Sequence, residues 1–244
     1  MLKSPMDKNK VLASLKRRGT RRNVEGLARY GIQAKRPLGV PMGTLLSMRK
    51  KLGRDHALAL ALWKSGWYEA RLLAALVDDP QQVTRRQMDA WAAGFENWGD
   101  CDTVCFQLFD RVPFAWEKVR QWSASPREFV RRGAFALLAS LALHDKNASD
   151  AQFRALLPLI EKGARDERNF VKKGVSWALR SVGRRNLALN AAALAVARRL
   201  AQSKEAAPRW VGKDALRELA SPKVRSQLVR RTRSSEKKHG HTKR

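Results

Sequence analysis

Phe170-Val171-Lys172-Lys173-Gly174-Val175-Ser176-Trp177-Ala178-Leu179-Arg180-Ser181-Val182-Gly183 decides the fold. Phe170, Val171, Gly174, Val175, Ala178, Leu179 and Val182 recur at helical spacing and line up as one apolar stripe. Asn169 is placed to cap the start and Gly183 to end the helix. Trp177 falls at the edge of the stripe, one turn after Lys173 and one turn before Arg180. A tryptophan between two cations can meet a flat anion such as nucleic acid. It can equally be a core side chain with solvated basic neighbours.

The same pattern recurs outward from this stretch. Phe129-Val130-Arg131-Arg132-Gly133-Ala134 precedes it and Trp210-Val211-Gly212-Lys213-Asp214-Ala215 follows, with leading aromatics 41 and 40 residues apart. Trp67 to Leu72 is a weaker early copy. A period near 40 with only helical signals marks HEAT-like helical repeats, whose units bury their apolar faces by stacking. The expected fold is therefore an all-α solenoid. The third residue after each aromatic is Arg132, Lys173 or Lys213, so a row of cations is expected along one concave basic face. A merely solvated charged face is the alternative.

Charge sharpens the choice of partner. The chain has 244 residues, with 50 Lys plus Arg against 22 Asp plus Glu and a formal charge of +28. That excess predicts an anionic polymer, bound with strong salt dependence. No apolar run has the length of a membrane span, and Met1 to Pro5 shows no signal-peptide core. Cys101 and Cys105 stand four residues apart on one helix without partners at metal spacing. They read as reduced core residues of a cytoplasmic protein, of the bacterial cytosol and nucleoid type, or of another reducing compartment. No phosphate loop, dinucleotide fingerprint or zinc-protease helix is present, and His239 and His241 sit in a charged tail. Neither cofactor nor metal is expected.

In chain order, helices are expected over 3–18, 24–30, 42–52, 55–63, 67–77, 84–95, 101–112, 114–122, 127–143, 150–163, 170–183, 187–203, 208–219 and 222–229. Turns are expected at Gly19 to Asn23 and at Lys35 to Pro41. Residues 1–229 read as a single helical-repeat domain. Residues 230–244 have no large apolar side chain and read as a flexible basic tail that adds affinity for phosphate.

One candidate chemical site remains. Asn97-Trp98-Gly99-Asp100-Cys101-Asp102 places a tryptophan four residues before a carboxylate. By helix logic alone Asp100 would be the N-cap and Asp102 would favour the positive end of the first turn. This segment, the Phe129 and Phe170 motifs and Gly39-Val40-Pro41 resemble the AlkD-type alkylpurine DNA glycosylases, from about Leu27 to Leu219. The resemblance implies a glycosylase acting on duplex DNA that contains alkylated bases such as 3-methyladenine or 7-methylguanine. Matched motif by motif, it implies Asp102, Trp98 and Trp177 as catalytic residues and Arg132 as a DNA-binding one. Lys173, Arg180 and Lys213 are further DNA-binding candidates from their places in the repeat. Gly99 departs from the family, which has Asp or a bulky residue there, and Asp100 is an extra carboxylate that a slipped register would put in the site.

The chemistry suits one carboxylate. A 3- or 7-alkylated purine is already cationic and leaves neutral, so no general acid is required. A fixed carboxylate can stabilise the developing sugar cation, where ordinary glycosidases need two. A monomer is expected. The alternatives are a non-catalytic HEAT-repeat module that binds DNA or structured RNA by its phosphates, and a protein-binding scaffold, which the charge disfavours.

Overall fold

The computed structural model describes residues 7–240, with side chains described to Thr232. Among the described residues the chain is all-helical, and its contacts divide it into two compact units, 1–115 and 116–244. The first unit holds α1 (Lys8–Arg18), α2 (Arg21–Arg29), α3 (Met42–Leu52), α4 (His56–Lys64), α5 (Tyr68–Val77), α6 (Arg85–Ala93), α7 (Trp98–Gln107) and a 3-10 turn at Phe109–Arg111. The chain passes between units at α8 (Ala115–Ser123). The second unit holds α9 (Glu128–His144), α10 (Asp150–Arg154), α11 (Leu157–Gly163), α12 (Asn169–Gly183), α13 (Leu187–Ala201), α14 (Ala206–Leu219) and α15 (Pro222–Gly240).

In the second unit the three aromatic motifs lie on α9, α12 and α14. Helix α12 packs against both of the others and also against α11 and α13. The stripe read from the sequence is the reason. Val171, Gly174, Val175, Ala178, Leu179 and Val182 are buried, each large side chain contributing about 1.5–3 kcal/mol. Phe170 is half-buried, its ring 5.5 Å from that of Phe129. Polar ties run between neighbouring repeats. Ser176 donates to Asp214 at 2.6 Å, and Arg185 reaches the carbonyls of Ala142, Asp145 and Ala148 with its guanidinium 4.2 Å from the Phe153 ring.

The first unit repeats the plan. Helix α5 packs against α3, α4 and α7. Trp63 of α4 and Trp91 of α6 stack at 4.1 Å, almost parallel, with the Arg71 guanidinium 5.2 Å from the Trp63 ring. The early motif differs in register. Trp67 is the N-cap of α5, not a residue within it, and its ring lies beneath Arg36 at 4.3 Å and Lys16 at 5.1 Å.

Several boundaries differ from expectation. Thr20 caps a helix that begins at Arg21, where a turn was expected, because its hydroxyl accepts from the Asn23 amide. The single helix expected over 150–163 breaks after Arg154, and Ser149 caps its first part. Arg168, not Asn169, is the N-cap of α12. The tail expected to be irregular from residue 230 instead continues α15 to Gly240. Pro222 starts this helix, and neighbouring turns supply the backbone hydrogen bonds that composition alone does not reveal. The remainder of that tail, 241–244, lies outside the described residues, as do the side chains of 233–240, His239 among them. No helix of the described residues is long and apolar enough to cross a membrane.

Candidate active-site cleft

Helix α7 is fixed at its start by a reciprocal cap. The Asn97 side chain accepts from the amides of Gly99 at 2.8 Å and Asp100 at 3.2 Å, while the Asp100 carboxylate accepts back from the Asn97 amide at 3.1 Å. Asp100 also accepts from Glu96 N at 3.0 Å and Cys101 N at 2.8 Å. It is therefore the third residue of the helix and not the N-cap that was expected. Only 1% of it is exposed, and burial raises its pKa to about 6 despite those hydrogen bonds. Asp102 consequently lies in the second turn, not the first, and is half-exposed.

One turn apart on the same helix, Trp98 and Asp102 line a cleft of about 600 Å³. Trp98 is held by its indole nitrogen, which donates to the Tyr30 carbonyl at 2.9 Å. Tyr30, Tyr68 and Arg22 complete much of the wall. Gly39-Val40-Pro41 also lines the cleft, and its shape is set by a buried side chain. The buried Glu69 carboxylate accepts from the amides of Leu38 at 2.7 Å, Gly39 at 2.6 Å and Val40 at 3.2 Å. Gly39 turns the chain at φ +80°, a conformation that favours glycine. One carboxylate thus satisfies three successive donors, and the loop becomes a rigid wall.

In the second unit the three cations of the expected row differ in exposure. Lys173 and Lys213 are exposed. Arg132 is only 7% exposed and donates to the Phe170 carbonyl at 2.6 Å, so it ties α9 to α12. Its site explains the fit of the repeat, since the Gly174 position leaves space for the Arg132 stem. Trp177 is half-buried at the edge of the stripe, as its sequence position indicates. Arg180 is half-buried too, but it pairs with Glu218 at 2.6 Å and Asp214 at 3.6 Å. Much of its charge is therefore answered within the protein.

Comparison with known proteins bears on the family and on the all-helical repeat. A family model described as "DNA alkylation repair enzyme" matches residues 11–219. The chain belongs to the DNA alkylation repair enzyme family. A solved structure described as "a new family of proteins related to the HEAT-like repeat DNA glycosylases with affinity for branched DNA structures" shares the fold. It aligns with a TM-score of 0.72 at 20% identity, covering 88% of this chain and 96% of that one. No match was found among curated proteins.

For this family member the structure separates the two carboxylates that the sequence left open. Asp100 is buried inside the cap and Asp102 faces the cleft. Sequence reasoning missed Tyr30, Tyr68 and Glu69. Each comes from a different helix or loop from α7, and no local pattern joins them to Asp102.

Proposed function

We propose that this protein is a DNA glycosylase that hydrolyses the N-glycosidic bond of cationic alkylated purines, such as 3-methyladenine and 7-methylguanine, in duplex DNA. The observation that carries it is the cleft shared by Trp98 and Asp102, with Asp102 half-exposed on its wall. As the bond from C1′ to the base nitrogen breaks, its electron pair passes to the cationic base, which leaves neutral. Positive charge moves to the sugar. The Asp102 carboxylate stabilises that cation and orients the water that attacks C1′, and the water's proton leaves to the carboxylate or to solvent. The product is an abasic site. The indole face of Trp98 favours a cationic nucleotide at Asp102, and Trp177, at the edge of the α12 stripe, is a second aromatic candidate for contact with DNA. Lys173 and Lys213 bind phosphates and set the register, with residues 1–229 acting as one monomeric DNA-binding domain and the basic chain beyond adding affinity. Arg132 and Arg180 remain proposed DNA-binding residues that also hold the repeats together, through the Phe170 carbonyl and through Glu218 and Asp214.

The test is single-turnover release of 7-methylguanine from methylated duplex, beside thermal melting and duplex binding. Asp102→Asn is expected to keep fold and affinity and to lose at least a hundredfold in rate, about 3–4 kcal/mol. Normal release by that variant would remove Asp102 from the reaction. The affinity of the structural neighbour for branched DNA favours one other reading, a non-catalytic DNA-binding protein. A wild type that releases neither 3-methyladenine nor 7-methylguanine yet binds DNA would establish it.

A further inference from the structure

Tyr68 stands at the first position of α5 and is 6% exposed, and its ring lines the same cleft as Asp102. Among the described residues its hydroxyl makes no hydrogen bond to the protein, yet it is not one of the buried orphaned polar atoms, so it is open to the cleft that the residue lines. The hydroxyl occupies space that opens only because residue 99 is glycine. A Cβ at Gly99 would overlap the Tyr68 oxygen and would come within 3.0 Å of Asn97 Oδ1 and 3.2 Å of Ile32 Cδ1. Gly99 is thus the complement of Tyr68 across the base of the cleft. The surroundings also keep the phenol protonated. Burial first, then the charges of Asp100, Glu69 and Asp102, push its pKa well above the ordinary phenol range. What results is a neutral O–H donor with nothing in the protein to donate to, beside the carboxylate assigned to the reaction.

We propose that the Tyr68 hydroxyl is a positioning residue for base release, donating a hydrogen bond to the attacking water while Asp102 accepts one from it. A water held in this way keeps one lone pair free to attack C1′. As the C1′–O bond forms, the proton shared with Asp102 passes to that carboxylate, and the other stays on the new sugar hydroxyl. The proposal rests on the glycosylase assignment above and adds to it a second group from a different helix.

The experiment measures single-turnover release of 7-methylguanine by wild type, Tyr68→Phe, Gly99→Ala and the double variant. Enzyme concentration is varied to obtain both the limiting rate and half-saturation. Melting temperature is measured for each. Tyr68→Phe removes one oxygen and is expected to lower the limiting rate about tenfold to a hundredfold, the range for one positioned proton-handling group. Half-saturation and melting temperature should not change, as they would if Tyr68 served only to pack α5. Gly99→Ala is expected to lower the rate by displacing the phenol, and to have little further effect when combined with Tyr68→Phe. A Tyr68→Phe variant with the wild-type limiting rate overturns the role of Tyr68 and leaves that of Asp102 standing. Equal loss of rate and melting temperature makes Tyr68 structural and also overturns it. A wild type that releases no base from either lesion overturns both assignments together.

Discussion

At the scale of the residue, two aspartates separated by one position have opposite environments. The Asp100 carboxylate accepts three backbone amides and is almost wholly buried, whereas Asp102 opens on the cleft. Burial lifts the Asp100 pKa from the ordinary aspartate value of 3.8 to about 6. Between those pH values the folded chain holds a proton that the unfolded chain has released. Stability therefore falls as pH rises through that window, and the cost of on the order of 3 kcal/mol is fully present above it. Asp100→Asn cannot titrate. Its stability relative to wild type is expected to rise by up to about 3 kcal/mol from near pH 4 to near pH 7. Denaturant unfolding of both proteins at the two pH values checks this, and a constant difference would show that the charged carboxylate sits there without penalty.

At the scale of the element, the cleft depends on a loop held by a single side chain. Leu38, Gly39 and Val40 all donate to Glu69, and Gly39 accepts from Asn23 Nδ2 at 2.9 Å on its other side. Glu69→Ala leaves three donors without their acceptor. It should cost on the order of 3 kcal/mol or more and remove hydrogen-exchange protection from those amides. Because Gly39 to Pro41 forms one wall of the cleft, base release should fall with it. Retained protection at the three amides would mean that another acceptor replaces the carboxylate. Helix α7 is steadied differently, by its own reciprocal cap, so the register of Trp98 and Asp102 should survive loosening of the loop.

At the scale of the whole molecule, the charge of +28 governs encounter with DNA. Affinity for undamaged duplex should fall about a thousandfold from roughly 50 to 200 mM salt if about six phosphates are engaged. A flat salt response in a binding titration would assign the charge elsewhere. The positions differ in what they contribute. Charge reversal at exposed Lys173 or Lys213 should weaken binding to any sequence about equally and leave melting unchanged. Arg180→Ala should instead lower the melting temperature, because Glu218 and Asp214 lose a half-buried partner. Side-by-side melting and binding of these variants separates the two roles.

The sequence by itself determined the all-helical repeat. Apolar stripes such as Val171 to Val182 and the 40-residue recurrence of their leading aromatics are local properties, carried by spacing along the chain. The family resemblance named Trp98 and Asp102 together, but the helix was expected to begin only after Asp100, and it is the cap at Asn97 that puts both residues on one helix face. Only the tertiary structure decided which aspartate faces the cleft, because desolvation depends on what packs above the residue and not on its neighbours in sequence. It alone turned Arg132 inward onto the Phe170 carbonyl and paired Arg180 with Glu218. A periodic pattern fixes the side of the helix a cation occupies, but not whether a carbonyl or carboxylate some 38 residues away reaches it first. Tyr68, Gly99 and Glu69 were hidden for the same reason. Their importance lies in contacts across about 30 residues of chain, where a missing Cβ on one helix makes room for a hydroxyl on another.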